Sequence, residues 1–541
     1  MSVGTSSFKK VSGGKIRGVV REDLLDLLPP DFLKDPVSSV QAMGGTVVKE
    51  SRWRWAAIVI LPNGQRMFLK RDRSKGWFDY LKYVIFPSKA HKEWLIAVQL
   101  RRKNVAVPQP MGWMEKVSAG RVQESYYISE AIGSGRSAIE EPNRFRDEKG
   151  VIDLAKAVKT IHESGLYHRD FHAGNFLWHQ GSLFLTDLHD TRLLRRLSLR
   201  KRLWSLTHLL LSLKSIWGGR EEAQFVQTYF AGQPSHGQRM KETLDRIHHD
   251  MDRLEKRHWR SRTKRCLQES TEFTVEKEGR ARCYRRRDFP LDQVQAALRK
   301  HQEMVREKPF ALAKHSPEVA VSIIDVEQKR IGVKQFRPSQ RLDRWKERVR
   351  RSKGLKAWIG GNGLKARGIP SVKPLALVER KDWAGWHESC LLMETFEGGQ
   401  ELDRYLFSGF KDLKEKRRFV LEFARWFSHL HPKGVFHKDM KACNILVLKN
   451  EGSWNFFLLD LEDVRFDQPM TEEKFLKNLL QLNSSTPRSM TRADRLRFFK
   501  ECVRLNPIVK TPKTFLKRLI SESRKRGLVY VSPQGIVIEP L

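Results

Sequence analysis

The chain contains the same long pattern twice, and any fold proposed for it must accommodate the repeat. A segment beginning at Leu154, LAKAVKTIHESGLYHRDFHAGNFLWHQGSLFLTDLHDTRL, returns at Phe423 as FARWFSHLHPKGVFHKDMKACNILVLKNEGSWNFFLLDLEDVRF. Both copies pass through the same phases. Apolar residues at helical spacing come first: Leu154, Ala157, Val158 and Ile161 in one copy, Phe423, Trp426, Phe427 and Leu430 in the other. A glycine, Gly165 or Gly434, marks the helix end. A polar loop follows, YHRDFHAGN or FHKDMKACN, and then two apolar runs around a turn, HQGS or KNEGS, which predict a hairpin. The second run ends in an acid, Asp187 or Asp460. Upstream, alternating runs end in a lysine: QRMFLK at Lys70 and KRIGVK at Lys334. Lys70 lies 100 positions before Asp170, and Lys334 lies 105 before Asp439, so a whole unit is duplicated. The domains are expected at 38–255 and 256–541, joined in the charged stretch DRLEKRHWRSRTKR. Residues 1–37 have no readable role.

The repeated residues are of the kind that phosphoryl transfer demands. That reaction needs positioning and charge neutralisation more than covalent chemistry: a base for the acceptor hydroxyl, metal ligands, and a cation on the donor phosphates. In HRDFHAGN, Asp170 is placed to accept the acceptor's proton and Asn175 to offer an amide oxygen to magnesium, a metal that prefers hard oxygen ligands. Asp187, across the hairpin, supplies a carboxylate to the same metal, and Lys70 a cation for the α and β phosphates. Asp439, Asn444, Asp460 and Lys334 recur in the same order. His168 and His437 are expected to brace the loops, and His162 and His431 to make helix-end contacts.

A lysine, then HxDxxxxN, then an aspartate after a hairpin resembles the protein-kinase-like fold. The resemblance implies an α+β chain of two tandem kinase-like domains, each with a β-rich N-lobe and a helical C-lobe, using ATP and magnesium. The wording HRDFHAGNFLW with TDLHD, and the run SKAHKEWLIAVQLRRKNVAVPQPMGW, are similar to the lipopolysaccharide core kinases of the Kdo kinase and WaaP-like group in Gram-negative bacteria. In such folds a helix glutamate pairs with the strand lysine, and Glu93 is the match for Lys70. Glu130 and Glu394 match the hinge that contacts adenine. Two departures stand out. No GxGxxG occurs; Gly44 and Gly45 in the first half and Gly279 in the second are the only glycines before the opening strands, so the phosphate-covering loop is expected to be atypical. Aligning KEWLIA with KAWIGG puts Ala357 opposite Glu93, which leaves Lys334 without its usual partner unless Glu347 substitutes. The second domain is therefore expected to be weak, inactive or scaffolding.

Lys and Arg number 102 against 63 Asp and Glu, a net charge of +39, which predicts a polyanionic partner. Between Lys70 and Glu93 the residues Trp77, Phe78, Tyr80, Leu81, Tyr83, Val84, Ile85 and Phe86 are framed by Lys75, Lys82, Lys89 and Lys92. They form either an interfacial segment on an anionic membrane or part of the N-lobe core. Basic clusters at Arg195, Arg196, Arg200, Lys201 and Arg202, and at Arg285, Arg286 and Arg287, add to the charge. No recognised nucleic-acid motif accompanies it. Five scattered cysteines without a CxxC pair suit a reducing compartment, and no run approaches 18 apolar residues. The expected activity is phosphorylation of a sugar of lipid-linked lipopolysaccharide core at the cytoplasmic face of the inner membrane. The alternatives are an aminoglycoside-phosphotransferase-like small-molecule kinase and a non-catalytic scaffold.

Overall fold

The strands that carry the two lysines sit third from the edge of two seven-stranded antiparallel sheets with the same strand order. In a computed structural model describing residues 7–133, 140–232, 236–337, 351–381, 387–407, 409–532 and 534–540, the chain divides into two units, Met1–Glu255 and Lys256–Leu541. In unit 1 the strands are β1 (Phe8–Gly13), β2 (Ile16–Arg21), β3 (Thr46–Glu50), β4 (Arg54–Ile60), β5 (Arg66–Arg73), β6 (Pro110–Ser118) and β7 (Arg121–Glu130). Their order across the sheet is β1-β2-β6-β7-β5-β4-β3. Unit 2 places Phe273–Glu278, Ala281–Arg286, Pro374–Lys381, His387–Glu394, Lys329–Phe336, Val319–Val326 and Lys314–His315 in the equivalent sequence. The duplication thus extends to every strand of the sheet, and the architecture is α+β with two tandem kinase-like domains.

Residues 8–21 correct the boundary drawn at residue 38. β1 and β2 belong to the first sheet, as the counterparts of Phe273–Glu278 and Ala281–Arg286. Ile16 and Val20 on β2 are buried with Met111 and Met114 of β6. β2 and β6 approach so closely that a Cβ on Gly18 would lie 2.2 Å from the Trp113 carbonyl oxygen, which is why both strands carry glycine there, Gly18 and Gly112. The joint falls where expected, between Glu255 and Lys256 in the charged stretch, and that stretch is carried by the last part of a helix, His236–Lys264.

Each sheet packs against a helix that begins in a serine cap. Ser88 Oγ accepts the His91 N–H at the start of Lys89–Arg102, and Ser352 Oγ accepts the Leu355 N–H at the start of Lys353–Ala366. The expected amphipathic helices follow, as Glu148–Glu163 and Leu413–Leu430. Leu154, Val158 and Ile161 are buried in one, Phe423, Phe427 and Leu430 in the other. Gly165 and Gly434 just beyond them have φ of 89° and 66°, the left-handed conformation glycine supplies without steric cost. The hairpins form as Phe176–His179 with Ser182–Leu185, and Ile445–Asn450 with Ser453–Leu458.

The aromatic insertion forms a helix, Trp77–Ile85, whose Tyr80 and Tyr83 are half-buried while Trp77 (61%), Leu81, Val84, Ile85 (79%) and Phe86 are exposed. The Phe78 side chain lies outside the described residues. Among the described residues no helix is long and apolar enough to cross a membrane. The cluster at Arg285–Arg287 is paired with acids: Arg285 with Glu276 at 2.7 Å, Arg286 with Asp288 at 2.9 Å and Arg287 with Glu269 at 2.8 Å.

A chain starting at residue 38 loses two strands and uncovers β6. Each buried Ile or Val contributes roughly 1.5–3 kcal/mol, so unit 1 should lose several kcal/mol of stability. Scanning calorimetry should show one transition moved down or abolished and a second, belonging to unit 2, left in place.

Candidate active site

β5 sets Lys70 opposite Ala56 on β4 and Tyr127 on β7, which buries the stem of the lysine and points its ammonium toward the C-terminal half of the unit. Lys70 Nζ lies 2.7 Å from Asp187 Oδ1 and 3.1 and 3.3 Å from the two Glu93 oxygens. Glu93 Oε1 also accepts the Leu188 N–H at 3.2 Å, so one carboxylate ties strand, helix and post-hairpin segment together. Asp187 is held in the left-handed region, φ 58° and ψ 59°, a conformation that costs a non-glycine residue on the order of 1 kcal/mol or more. Its Oδ1 accepts from His189 Nδ1 at 2.6 Å, and Arg54 Nη2 donates to His189 Nε2 at 2.7 Å. Burial works against the Lys70 ammonium, but Glu93, Asp187 and Asp72 hold it above the ordinary lysine value. Burial likewise opposes the Asp187 carboxylate, and the His189 hydrogen bond with the Lys70 charge keeps its carboxyl well below the usual range.

The HRD loop is built around a buried, neutral histidine. His168 Nδ1 accepts the Asp170 N–H and Nε2 donates to the Asp187 carbonyl, both at 3.1 Å, so the ring fixes the loop against the post-hairpin segment. Asn175 Nδ2 donates to the Asp170 carbonyl at 2.9 Å, which leaves Asn175 Oδ1 as a free acceptor position beside the loop. The Asp170 carboxylate is 72% exposed, with His172 Nε2 3.7 Å away.

Unit 2 repeats this layout with one relocation. His437 Nδ1 accepts the Asp439 N–H and Nε2 donates to the Leu459 carbonyl, both at 3.3 Å. Asn444 Nδ2 donates to the Asp439 carbonyl at 2.8 Å, and Asp460 stands in the left-handed region at φ 44° and ψ 56°. Lys334 Nζ lies 2.6 Å from Asp460 Oδ1 and 2.7 Å from Glu462 Oε1. Ala357 does occupy the Glu93 position, fully buried, but Lys334 is not left without a second carboxylate, contrary to the sequence reading. Glu347 lies outside the described residues. The cause is local: a Cβ on Gly360 would sit 2.2 Å from the Leu461 carbonyl oxygen and one on Gly361 2.4 Å from Pro374 Cγ. The glycines let helix and post-hairpin segment meet, which brings Glu462 onto the lysine. In unit 1 the same position holds His189.

Four other residues escaped the sequence reading. Arg54 and His189 buttress Asp187, and Lys441 Nζ lies 3.0 Å from Asp439 Oδ2 where unit 1 has His172. Lys314 acts electrostatically on Asp460. A basic residue two positions past the loop aspartate was the available signal for Lys441. Gly44 and Gly45 cap the helix Pro36–Ala42, Gly45 N–H donating to the Val40 carbonyl at 2.9 Å. Between β3 and β4 lies a turn in which Ser51 N–H donates to the Arg54 carbonyl and Arg54 N–H to Ser51 Oγ; Ser316 and Val319 form the same turn in unit 2. Glu130 and Glu394 end their strands with main-chain N–H groups donated to Gln109 and Lys373 carbonyls, and the Glu394 carboxylate pairs with Lys373 Nζ at 2.7 Å. The buried His162 meets Tyr229 Oη at 2.7 Å and His431 meets Asn506 Oδ1 at 3.3 Å, as helix-end contacts.

The sequence profile of the lipopolysaccharide kinase (Kdo/WaaP) family matches residues 40–229 and 361–501, more than half of the chain. The chain belongs to that family. As a member of the Kdo/WaaP family it is a kinase, a phosphotransferase. Among solved structures it is similar to WaaP in complex with acyl carrier protein, at 22% identity over 42% of this chain and 98% of that one, with a TM-score of 0.33. It is also similar to the Rio2 kinase–ADP/Mg2+–phosphoaspartate complex from Chaetomium thermophilum, at 14% identity over 56% and 94%, with a TM-score of 0.24. A short stretch of 63 residues is 36% identical to ribosomal protein S6 kinase alpha-2 of Mus musculus, covering 12% of this chain and 9% of that protein's length.

The buried histidines make this Kdo/WaaP family member acid-sensitive. Burial depresses His168 and His431 to about 4 and His162 to about 3 from the ordinary 6.5. The unfolded chain takes up these protons near pH 6.5 while the folded one refuses them, so stability is full above 6.5 and drains as pH falls toward 4. At about 1.4 kcal/mol per pH unit, His168 and His431 each contribute at most about 3 kcal/mol and His162 at most about 5 kcal/mol. Melting temperatures should drop across that window, and less steeply in His431→Asn than in wild type.

Proposed function

We propose that unit 1 is an ATP-dependent phosphotransferase centre that moves the γ-phosphate to a sugar hydroxyl of lipid-linked lipopolysaccharide core. The observation that carries the reading is the convergence of Lys70, Glu93 and Asp187 within 3.3 Å, beside an HRD loop locked to the same segment by His168. In this reading Glu93 holds Lys70 where it neutralises the donor phosphates, and Arg54 with His189 keeps Asp187 ionised and oriented. Asp170, exposed and free to meet an acceptor, takes the hydroxyl proton. Asn175 Oδ1 and the Asp187 carboxylate are two hard oxygens, a donor set that fits magnesium, which uses few protein ligands together with substrate phosphates. Bound magnesium would supply charge neutralisation on those phosphates. Glu130, at the end of β7, is assigned to the hinge beside the base.

The acceptor is anchored in lipid, so the enzyme works at a surface, on the cytoplasmic face of the inner membrane. The exposed face of Trp77–Ile85 supports this: Trp77, Leu81, Ile85 and Phe86 offer apolar contact, and Lys75 and Lys82 flank them. Each cation near an anionic leaflet adds about 1 kcal/mol, which makes the excess charge of the chain a surface-seeking property. A soluble small-molecule substrate leaves both features without a use.

Asp170→Asn should abolish phosphate transfer to purified lipid A–core without lowering the melting temperature, because the amide keeps the size of the side chain but cannot accept the proton. Loss of one positioned group of this kind commonly removes about 100-fold or more in turnover. Wild-type turnover by this variant in a radiolabelled-ATP assay would remove unit 1 from the reaction. Mass spectrometry of lipid A–core from cells lacking the protein should show a missing phosphate.

Membrane contact is tested separately. Replacing Trp77, Leu81, Ile85 and Phe86 by Ser should weaken sedimentation with anionic vesicles while ATP affinity and melting temperature hold. The residual binding should fall away with salt. Wild-type protein that ignores such vesicles at low salt overturns the membrane reading and leaves the phosphotransfer reading standing.

A further inference from the structure

Unit 2 has lost the helix glutamate and yet has kept the charge balance around its strand lysine. In unit 1 one lysine faces two carboxylates, Glu93 and Asp187; in unit 2 one lysine faces Glu462 and Asp460. The carboxylate has moved from the helix to the post-hairpin segment, two residues past the aspartate. We propose that unit 2 is a second nucleoside-triphosphate site, in which Glu462 replaces the helix glutamate as the carboxylate that positions Lys334 for the donor phosphates. The proposal rests on the reading of Lys70 with Glu93 as the phosphate-positioning pair of unit 1.

Four features separate this from a degenerate copy kept as a scaffold. The first is the helix itself, KGLKAWIGGNGLKA, which accepts glycine at 360, 361 and 363 although each costs an interior helical position about 1 kcal/mol relative to alanine. Gly360 and Gly361 are where the helix touches Leu461 and Pro374, so the glycines serve the approach that delivers Glu462. The second is Asp460, which remains in a left-handed conformation that a non-glycine residue adopts only when its surroundings impose it. A scaffold gains nothing from that strain.

The third is the loop. Asn444 Nδ2 keeps its hydrogen bond to the Asp439 carbonyl, Asn444 Oδ1 meets only the weak Cys443 thiol donor at 3.7 Å, and Lys441 adds an ammonium 3.0 Å from Asp439 that unit 1 does not possess. The fourth is the serine turn at Ser316–Val319, preceded by Lys314, whose charge acts on Asp460. Glu462 Oε2 is buried without a hydrogen-bond partner among the described residues. That leaves an acceptor for the ammonium to use when it swings off Asp460. Glu462 is a positioning residue; Lys334 is the one that touches phosphate.

The experiment is equilibrium dialysis of the full-length protein against the β,γ-imido analogue of ATP with Mg2+. Wild type should bind two equivalents, and the unit 1 double variant Lys70→Met, Asp187→Asn should bind one. Adding Glu462→Gln to that variant should weaken the remaining equivalent about tenfold, the size expected of one charged hydrogen bond, and Glu462→Asp should weaken it less. One equivalent in wild type and none in the double variant overturns the proposal and leaves unit 1 as the nucleotide site. One equivalent in both supports unit 2 and removes the reading of unit 1. Undiminished affinity in Glu462→Gln overturns the role of Glu462. Should Glu462→Gln lower the melting temperature, wild-type protein decides: an ATP acyl-phosphate probe should acylate Lys334 in a manner blocked by excess ATP, and labelling confined to Lys70 overturns the proposal.

Discussion

A buried lysine shared between two carboxylates organises each half of this protein. Lys70 and Lys334 leave water on strands in the middle of a sheet, where an unpaired ammonium costs several kcal/mol, and each is compensated only because elements outside the sheet bring carboxylates to it. In unit 1 those elements are the helix Lys89–Arg102 and the segment after the second hairpin; in unit 2 the segment supplies both. A buried ion pair of this sort contributes little net stability, since well-packed apolar residues do as well in its place. Its persistence in both halves is therefore evidence of use. The other local features follow from it: the left-handed aspartates, the histidines that tie the HRD and HKD loops to the aspartate-bearing segment, and the serine-capped helix that packs against the sheet.

The hub also shows why two halves with the same wiring can differ in residues without losing the arrangement. What the lysine requires is negative charge within about 3 Å, and the geometry does not specify which element provides it. A glutamate on the helix needs a helix surface that stands back from the post-hairpin segment. Glycines at that surface permit close approach, and a glutamate on the segment then reaches the same ammonium.

Much of the layout was legible because duplication turned weak motifs into a comparison. The loop residues, the lysines, the hairpins and the terminating glycines all stand where spacing put them. What escaped was of two kinds. The strands at residues 8–21 carry short, basic, weakly alternating sequence, and their place in the sheet depends on pairing β2 with β6, nearly 100 residues away. The Lys334–Glu462 pair escaped because an alignment compares a position with its counterpart, and here the charge had left its counterpart position altogether. Only a distance, 2.7 Å, reveals it.

Charge, finally, acts at two scales that composition merges. Arg285, Arg286 and Arg287 looked like a basic patch, and each is matched with an acid within 3 Å, so the patch contributes little field. The helix Trp77–Ile85 carries few charges yet leaves five large apolar side chains, counting Phe86, exposed next to lysines. On the membrane reading proposed for unit 1, such a face gives an enzyme whose acceptor hangs from a lipid an orientation: apolar contact would fix the depth of one edge of unit 1, and the distributed positive charge, acting within a Debye length of about 8 Å, would draw its surface toward an anionic leaflet. On that same proposed reading, the residues offered to the membrane and those offered to phosphate lie on consecutive elements, since the exposed helix is inserted between β5, which bears Lys70, and the helix that bears Glu93.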